Sequence, residues 1–312
     1  MRGRRSLHVL AATLVISAVV VWMVLTPRGQ TAPPAAAASR DLEAGRALYL
    51  QFCAACHGET GRGDGASAGG FATKPADLTD GRLLNPLPDE FLVGIVLRGG
   101  ASEGLSPTMP PFAGFLSDVQ ARQVIRHLRA IASPPFRPEM AAPLVTVPRA
   151  PRQPIFFSHV IHSGSFQIAC QYCHADARRS EYAGLPSVER CMGCHKIIGA
   201  QDNPEIAKLH DFARRGRPIP WVRVFKVPEF TFFPHAPHVR FPVACQTCHG
   251  PIERMRVVGA DTGPALLNDL QNLVGLKPAP RALTMGWCIE CHRGQNAART
   301  ARAPLDCVTC HH

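Results

Sequence analysis

The chain has 312 residues, enough for about two domains of ordinary size. Its apolar fraction of 46% excludes a disordered tail and a membrane protein with many spans. Basic residues outnumber acidic ones by 34 to 23, and the 26 glycines and 29 prolines predict many turns and short elements.

Residues 1–38 predict a membrane anchor followed by a linker. Three arginines among the first five residues precede an apolar run, Leu7 to Leu25, of nearly the length that spans a bilayer. Because a positive flank stays in the cytoplasm, we expect a single-pass anchor in the inner membrane with the remainder on the periplasmic side. The run exceeds the usual core of a signal peptide, so an uncleaved anchor is favoured and cleavage near Ala38 is the alternative. Thr31 to Ala38 predicts a Pro/Ala linker, and His8 receives no ligand role.

Residues 39–133 predict a compact helical domain. Apolar residues from Leu42 to Phe52 recur at helical spacing, and a short helix is expected from Asp89 to Leu97. Ser117 and Gln120 form a predicted capping box for a last helix that ends before Pro134. The apolar stripe of that helix comprises Val124, Leu128 and Ile131, and His127 is expected at the surface.

All twelve cysteines belong to six Cys-x-x-Cys-His motifs. The cysteine pairs are Cys53 and Cys56, Cys170 and Cys173, Cys191 and Cys194, Cys245 and Cys248, Cys288 and Cys291, and Cys307 and Cys310. The histidines that follow them are His57, His174, His195, His249, His292 and His311. This pattern is the attachment signature of c-type haem, in which the cysteines form thioethers and the histidine ligates iron.

Disulfides, zinc binding and thiol redox chemistry are alternative readings of these cysteines. A histidine after each of six given pairs would arise by chance on the order of once in 10⁸, so six covalently bound haem c groups are predicted. Residues 139–312 hold 20 basic and 13 acidic residues as well as five of the motifs. We expect this surplus to neutralise haem propionates, because the sequence has no basic stripe of a kind that binds nucleic acid.

Met109 is the predicted sixth ligand of the first haem. It lies in a Ser-Pro-Thr-Met-Pro-Pro-Phe segment, where prolines stiffen the loop. A methionine ligand raises the reduction potential above that of a haem with two histidines. Residues 40–132 resemble a class I cytochrome c. The resemblance is carried by a helix, a haem motif, a glycine-rich loop at Gly61 to Gly65, this ligand loop and a closing helix. The resemblance implies the fold but not the redox partner.

Residues 134–154 predict a proline-rich linker, and residues 155–312, the second haem region below, contain an internal repeat. Phe157-Ser-His-Val-Ile-His162 leads to one haem motif and Phe233-Pro-His-Ala-Pro-His238 leads to another, 75 residues later. Each copy carries a second motif, and a fifth follows. About 32 residues for each haem are too few for separate protein cores, so the haems are expected to form the core. The predicted fold is mostly α, with much irregular structure, similar to cytochromes c3 and c7.

Five irons in the second haem region need five distal ligands. His159, His162, His235 and His238 supply four, because two histidines three residues apart share a helical face and can reach two haems. Met285 is the predicted fifth, with His210 and His312 as alternatives and Met255 behind them. Since every iron has a ligand, an open catalytic iron is disfavoured, and the chain is predicted to carry electrons rather than to act as an enzyme.

Residues 155–312 resemble the pentahaem cytochrome c subunit of alternative complex III, a quinol:acceptor oxidoreductase. The resemblance is carried by the two Phe-x-His-x-x-His segments, Cys191-Met-Gly-Cys-His-Lys196, Pro220-Trp-Val-Arg-Val-Phe225, Cys245-Gln-Thr-Cys-His-Gly250 and Met285-Gly-Trp-Cys-Ile-Glu-Cys-His-Arg293. It implies a subunit of a membrane quinol-oxidising complex, with an iron–sulfur protein as donor and a soluble cytochrome or terminal oxidase as acceptor. The chain departs from the family in its fused class I region and in a loop, Gly259 to Lys277, that looks inserted.

Two other functions fit the sequence. A membrane-anchored electron shuttle that serves periplasmic reductases is the main alternative, and co-purification distinguishes it from a subunit. A catalytic multihaem reductase is weaker, because it needs a five-coordinate iron.

Overall fold

The computed structural model describes residues 35–145, 150–198, 201–241, 243–259, 283–300 and 302–311. In these residues the chain is helical and irregular, and its one β-type pairing is an isolated bridge between Asp80 and Ser133. The mostly α class is therefore confirmed. The expected anchor from Leu7 to Leu25, His8, His312 and nearly all of the expected inserted loop lie outside the described residues. No helix within the described ranges is both long and apolar enough to cross a membrane.

The first haem region, residues 39–133, contains five α-helices in its described part. They are α1 (Ala35–Phe52), which begins four residues upstream, α2 (Ala54–His57), α3 (Gly81–Leu84), α4 (Asp89–Arg98) and α5 (Asp118–Ile131), with 3₁₀ turns at Ala68–Gly70 and Gly100–Glu103. A further 3₁₀ turn, Pro138–Met140, lies in the predicted proline-rich linker. Helix α1 begins at Ala35, within the last four residues of the segment predicted as a Pro/Ala linker. Alanine is the strongest helix former, which explains the earlier start.

The predicted capping box opens helix α5. The Ser117 hydroxyl oxygen accepts a hydrogen bond from the backbone N–H of Gln120 at 3.3 Å, and the Gln120 side chain accepts one from the Ser117 N–H at 2.9 Å. Helices α1 and α5 cross at Gly45, where a Cβ atom would lie 2.0 Å from the carbonyl oxygen of Gln123. Glycine at this position lets the two backbones touch, and so fixes the first and last helices of the region together.

His127 is buried, and its predicted place at the surface is wrong. Its ring lies 5.2 Å from the ring of Tyr49, which has no exposed surface. Burial lowers the pKa of His127, and the nearby charge of Arg46 lowers it further. The prediction failed because the helix face that carries this histidine packs against α1 instead of facing water.

The largest apolar core lies in the first haem region. Helices α1, α4 and α5 supply most of it, including Tyr49, Phe91, Val124 and Ile125. Val160, from the second haem region, is buried in the same core. The two regions therefore share part of one core, which the sequence did not predict.

Seven α-helices lie in the described part of the second haem region. They are α6 (Cys170–Cys173), α7 (Val188–His195), α8 (Pro204–Arg214), α9 (His235–Arg240), α10 (Cys245–His249), α11 (Met285–Ala297) and α12 (Cys307–Cys310). A π-helical turn covers Val160–Ser165, and 3₁₀ turns cover Ala175–Arg178 and Ile252–Arg254.

The apolar core of this second region is small. In the described residues a separate core forms around Ile155, Val188, Leu209 and Ile219. Four buried side chains stabilise far less structure than about 150 residues require, in line with the expectation that the haems complete the core. The predicted proline-rich linker is bound to the second haem region at Val145, whose backbone N–H donates a hydrogen bond to the carbonyl of Arg254 at 2.8 Å.

Candidate haem sites

The Cys-x-x-Cys-His motifs lie on or next to short helices. Helices α2, α6, α7, α10, α11 and α12 carry them in chain order. Residues three apart on a helix lie on one side, so the two thiols of a motif face the same way and the histidine follows directly. None of the twelve cysteines, all of which lie within the described ranges, forms a disulfide.

Four motif histidines are oriented by a hydrogen bond from Nδ1 to a backbone carbonyl. His57 bonds to Ala76 at 3.1 Å, His174 to Gly184 at 2.7 Å, His292 to Pro304 at 2.6 Å and His311 to Phe230 at 3.2 Å. Because a carbonyl oxygen only accepts, Nδ1 must carry the proton, and Nε2 keeps its lone pair for a metal.

Three of the four histidines predicted as distal ligands show the same arrangement. The Nδ1 atom of His162 donates to Ser158 at 2.9 Å, that of His238 to Pro234 at 2.9 Å and that of His235 to Glu181 at 2.5 Å. These bonds set both the tautomer and the direction of each ring. The sequence predicted the histidines but not the carbonyl partners, which are supplied by local turns and, for His235, by a distant segment.

Three pairs of histidines face each other at a distance that suits a shared metal ion. The ring centres are 5.9 Å apart for His162 and His195, 6.3 Å for His235 and His249, and 6.1 Å for His238 and His292. A metal ion bound by two imidazoles through bonds of about 2 Å holds the ring centres roughly 6 Å apart. Each pair joins one motif histidine with one predicted distal histidine, so the residues fit haem with two axial histidines.

His159 is the remaining histidine of the first Phe-x-His-x-x-His segment. Burial lowers its pKa to about 4, and the neighbouring His174 and His162 contribute to the shift. Its Nδ1 atom and that of His195 are buried without a hydrogen-bond partner among the described residues. Since neutral imidazole is the form that binds a metal, these surroundings suit ligation, and His174 is the neighbouring motif histidine.

Two phenylalanines pack against the distal histidines in the same way in both copies of the repeat. The ring of Phe157 lies 4.8 Å from that of His159, edge-on, and 4.3 Å from that of His162, stacked. The ring of Phe233 lies 5.0 Å from His235 and 4.6 Å from His238, again edge-on and then stacked. The sequence analysis noted that Phe157 and Phe233 occupy the same position in the two copies of the repeat. It did not predict that each ring packs against the two histidines that follow it.

The five motifs of the second haem region follow one another in space in an order that differs from the chain order. Burial raises the pKa of four thiols, and a nearby thiol of another motif raises each of them further: Cys173 acts on Cys191, Cys245 on Cys170, Cys288 on Cys248, and Cys310 on Cys288. The resulting spatial order begins at the Cys191 motif and passes through those of Cys170, Cys245 and Cys288 to that of Cys307.

A zinc reading of the cysteines finds no support in the described residues. A structural zinc site needs four ligands arranged as a tetrahedron. Within the described ranges, no three or more His, Cys, Asp or Glu side chains converge in a way that could hold a metal ion. The observed pairs of opposed histidines instead match an ion whose other ligands come from a macrocycle.

Comparisons with known families match both haem regions. Residues 40–128 match the family described as cytochrome C oxidase, cbb3-type, subunit III, and residues 231–312 match cytochrome c7 and related cytochrome c. The chain is a multihaem cytochrome c. The two matched segments imply covalently bound haem c at the Cys-x-x-Cys-His motifs that they contain.

A relative and a solved structure resemble the cytochrome in part. The multiheme cytochrome c subunit of menaquinone reductase from Nitratidesulfovibrio vulgaris (strain Hildenborough) is 28% identical over 166 residues, 51% of this chain and 76% of that protein. A chain of the reducing HAO-like protein complex of Kuenenia stuttgartiensis is 22% identical, over 57% of this chain and 86% of that one. Its TM-score of 0.27 is too low to indicate a shared overall fold.

Met109 lies half-buried in the loop where the cytochrome was expected to hold its methionine ligand. The backbone N–H of Gly100 donates to the carbonyl of Met109 at 3.0 Å, and the N–H of Met109 donates to Ser106 at 3.3 Å. The loop is therefore closed on itself by hydrogen bonds. The position of Met109 opposite His57 stays a prediction.

The fifth distal ligand of the second haem region also stays a prediction. Met285, the first residue of helix α11, is 63% exposed, whereas Met255 is buried. His210 places its Nε2 atom 2.9 Å from the carbonyl of His195. That nitrogen must donate a proton there, which is incompatible with binding iron through it in the same geometry.

Proposed function

We propose that the cytochrome is the electron-carrying subunit of a membrane quinol:acceptor oxidoreductase of the alternative complex III type. Residues 1–38 anchor it, and six haem c groups lie on the periplasmic side of the inner membrane. An iron–sulfur partner supplies quinol-derived electrons, and a soluble cytochrome or a terminal oxidase accepts them. The chain has no substrate site of its own in this proposal. When bound, haem iron supplies a one-electron Fe(III)/Fe(II) couple.

The observation that supports this proposal is the set of opposed histidine rings. His162, His235 and His238 each face a motif histidine at about 6 Å, with Nδ1 held by a carbonyl. Rings fixed in this way would stay bound to a haem iron in both oxidation states and would leave no coordination site open to a substrate. This is the arrangement of an electron carrier, because little rearrangement accompanies each electron transfer.

The direction of electron flow depends on ligand type. Methionine ligation raises the reduction potential, so Met109 makes the first haem region the expected exit for electrons. The relative from Nitratidesulfovibrio vulgaris is named as part of a menaquinone reductase, which favours the opposite direction as a second candidate. Both candidates use the same chain of haems and differ in the order of potentials.

Native purification from membranes tests the proposal. We expect the chain to emerge with several partner subunits, including an iron–sulfur protein, and to carry six covalent additions of about 616 Da each. Quinol should then reduce the cytochrome, with the haem of the first region reduced at the highest potential. A cytochrome that purifies alone indicates the shuttle, and a complex that is oxidised by menaquinone but not reduced by its quinol indicates the reverse direction.

A further inference from the structure

The loop that carries Met109 is closely packed against the second haem region. This loop runs from Gly99 to Met109 and includes the 3₁₀ turn Gly100–Glu103. Gly99 adopts a φ of 79°, and a Cβ atom there would lie 3.0 Å from the Met109 carbonyl. The two ends of the loop are therefore in direct contact, and anything that holds the loop also holds Met109.

Asp202, from the second haem region, binds three hydroxyl groups of the first haem region, two of them on this loop. Its carboxylate accepts hydrogen bonds from Thr108 at 2.8 Å, from Ser106, and from Thr73 at 2.8 Å. Burial raises the pKa of Asp202, but these three donors outweigh that effect and lower it overall. Thr108 is the residue directly before Met109, so the carboxylate acts one residue from the predicted ligand.

Asn203 strengthens the same contact. Its side chain is buried, and its amide N–H donates to the carbonyl of Leu105 at 2.5 Å. The amide oxygen accepts the N–H of Glu205 at 2.7 Å and so caps helix α8. The contact is thus fixed to a helix of the second haem region rather than to a free loop.

A buried carboxylate links the loop to the second haem region at another point. The side chain of Glu103 has no exposed surface and pairs with Arg98 at 2.6 Å and with Arg256 at 2.7 Å. Arg256 also donates to the carbonyl of Ser102 at 3.0 Å. Arg256 belongs to the second haem region, so two separate segments of that region hold the Met109 loop.

We propose that Asp202 is a positioning residue for Met109, so that the axial methionine of the first haem is held in place by the second haem region. Here the hydroxyls on both sides of Pro107 are turned outward to a carboxylate of the other region. This inference rests on the proposed role of Met109 as a ligand.

The test measures how easily imidazole displaces methionine in the full-length, haem-loaded cytochrome. The probe is the charge-transfer band of methionine-ligated ferric haem, titrated with free imidazole. Asp202→Ala removes the acceptor for three hydroxyls, and we expect the imidazole concentration at half-displacement to fall by about tenfold or more. The potential of the first haem should fall as well, while those of the other haems stay the same.

Asp211→Asn is the matched control, because Asp211 lies on helix α8 and pairs with Arg214 and Arg215 of the same helical segment. It should leave the titration unchanged. Met109→Ala should abolish the band. If the unmodified cytochrome lacks the band, the ligand assignment fails. If the band is present, but Asp202→Ala and the milder Asp202→Asn both leave half-displacement within twofold of the unmodified protein, the positioning role is refuted.

Discussion

Replacing His162 by alanine should turn one haem high-spin and leave the others unchanged. The His162 ring lies 5.9 Å from that of His195, and an alanine side chain leaves no nitrogen within reach of an iron between them. With six motifs loaded, the high-spin fraction should rise from near zero to about one sixth of the total haem. The reduced variant should then bind about one carbon monoxide molecule per chain, because a five-coordinate ferrous iron binds that ligand.

A second variant identifies the haem concerned. Replacing both Cys191 and Cys194 by serine prevents attachment of the haem at that motif. Adding His162→Ala to this double-serine variant should produce no further carbon monoxide binding. His159→Ala in that same background should still add one binding site, because His159 neighbours His174 instead. Mass spectrometry must show the expected number of haems in every variant. The pairing of His162 with His195 would be refuted if adding His162→Ala to the double-serine variant increased the amount of carbon monoxide bound.

Three further predictions concern residues around the haem motifs. Tyr49→Phe removes a buried hydrogen bond of 2.6 Å to the carbonyl of Gly58, which follows the first motif, and should cost about 1–3 kcal/mol. Because both haem regions share part of one core, the melting temperature should fall by about 2–4 °C for each kcal/mol. The exposed Tyr182→Phe should change stability by less than about 0.5 kcal/mol. His127 has a folded pKa below the ordinary 6.5, so its neutral form stabilises the fold fully above that pH and this contribution is lost as the pH falls below it. His127→Phe should therefore make stability less pH-dependent between about pH 7 and pH 5, measured by denaturant unfolding against the unmodified protein. Phe233→Leu should change the electron paramagnetic resonance signals of two haems at once, and Phe157→Leu those of two different haems; a change confined to one haem would contradict the orienting role.

The residues that carry chemistry were predictable because covalent haem attachment needs a fixed local pattern. Two cysteines and a histidine within five positions leave little freedom, so each motif could be read without knowledge of the fold. The candidate distal histidines could be picked out because the repeat places them at equal offsets, as at His159 and His235, and their ligation of iron stays a prediction. The fifth distal ligand was not predictable, since methionine carries no comparable pattern and Met255 and Met285 both lie near a motif.

The contacts between the two haem regions could not be read from the sequence. Asp202 follows a haem motif and resembles any solvated acid, and Glu103 lies in a short polar turn. Their roles depend on distant partners, Thr73 for Asp202 and Arg256 for Glu103, and no local periodicity marks such pairs. His127 was misjudged for the same reason, because helical periodicity shows the apolar stripe but not which polar face meets another helix.

The polar contacts between the regions follow from the shortage of apolar side chains in the second. A region with a small apolar core cannot offer a broad hydrophobic surface to a neighbour, so its attachment depends on hydrogen bonds and ion pairs that are individually strong when buried. Glu103 illustrates the consequence, because a carboxylate with no exposed surface is tolerated only while both arginines stay in place. Movement of the regions apart would leave that charge without Arg256, at a cost that favours one fixed arrangement. A fixed arrangement is what electron transfer between two haem regions requires, since its rate falls steeply with distance.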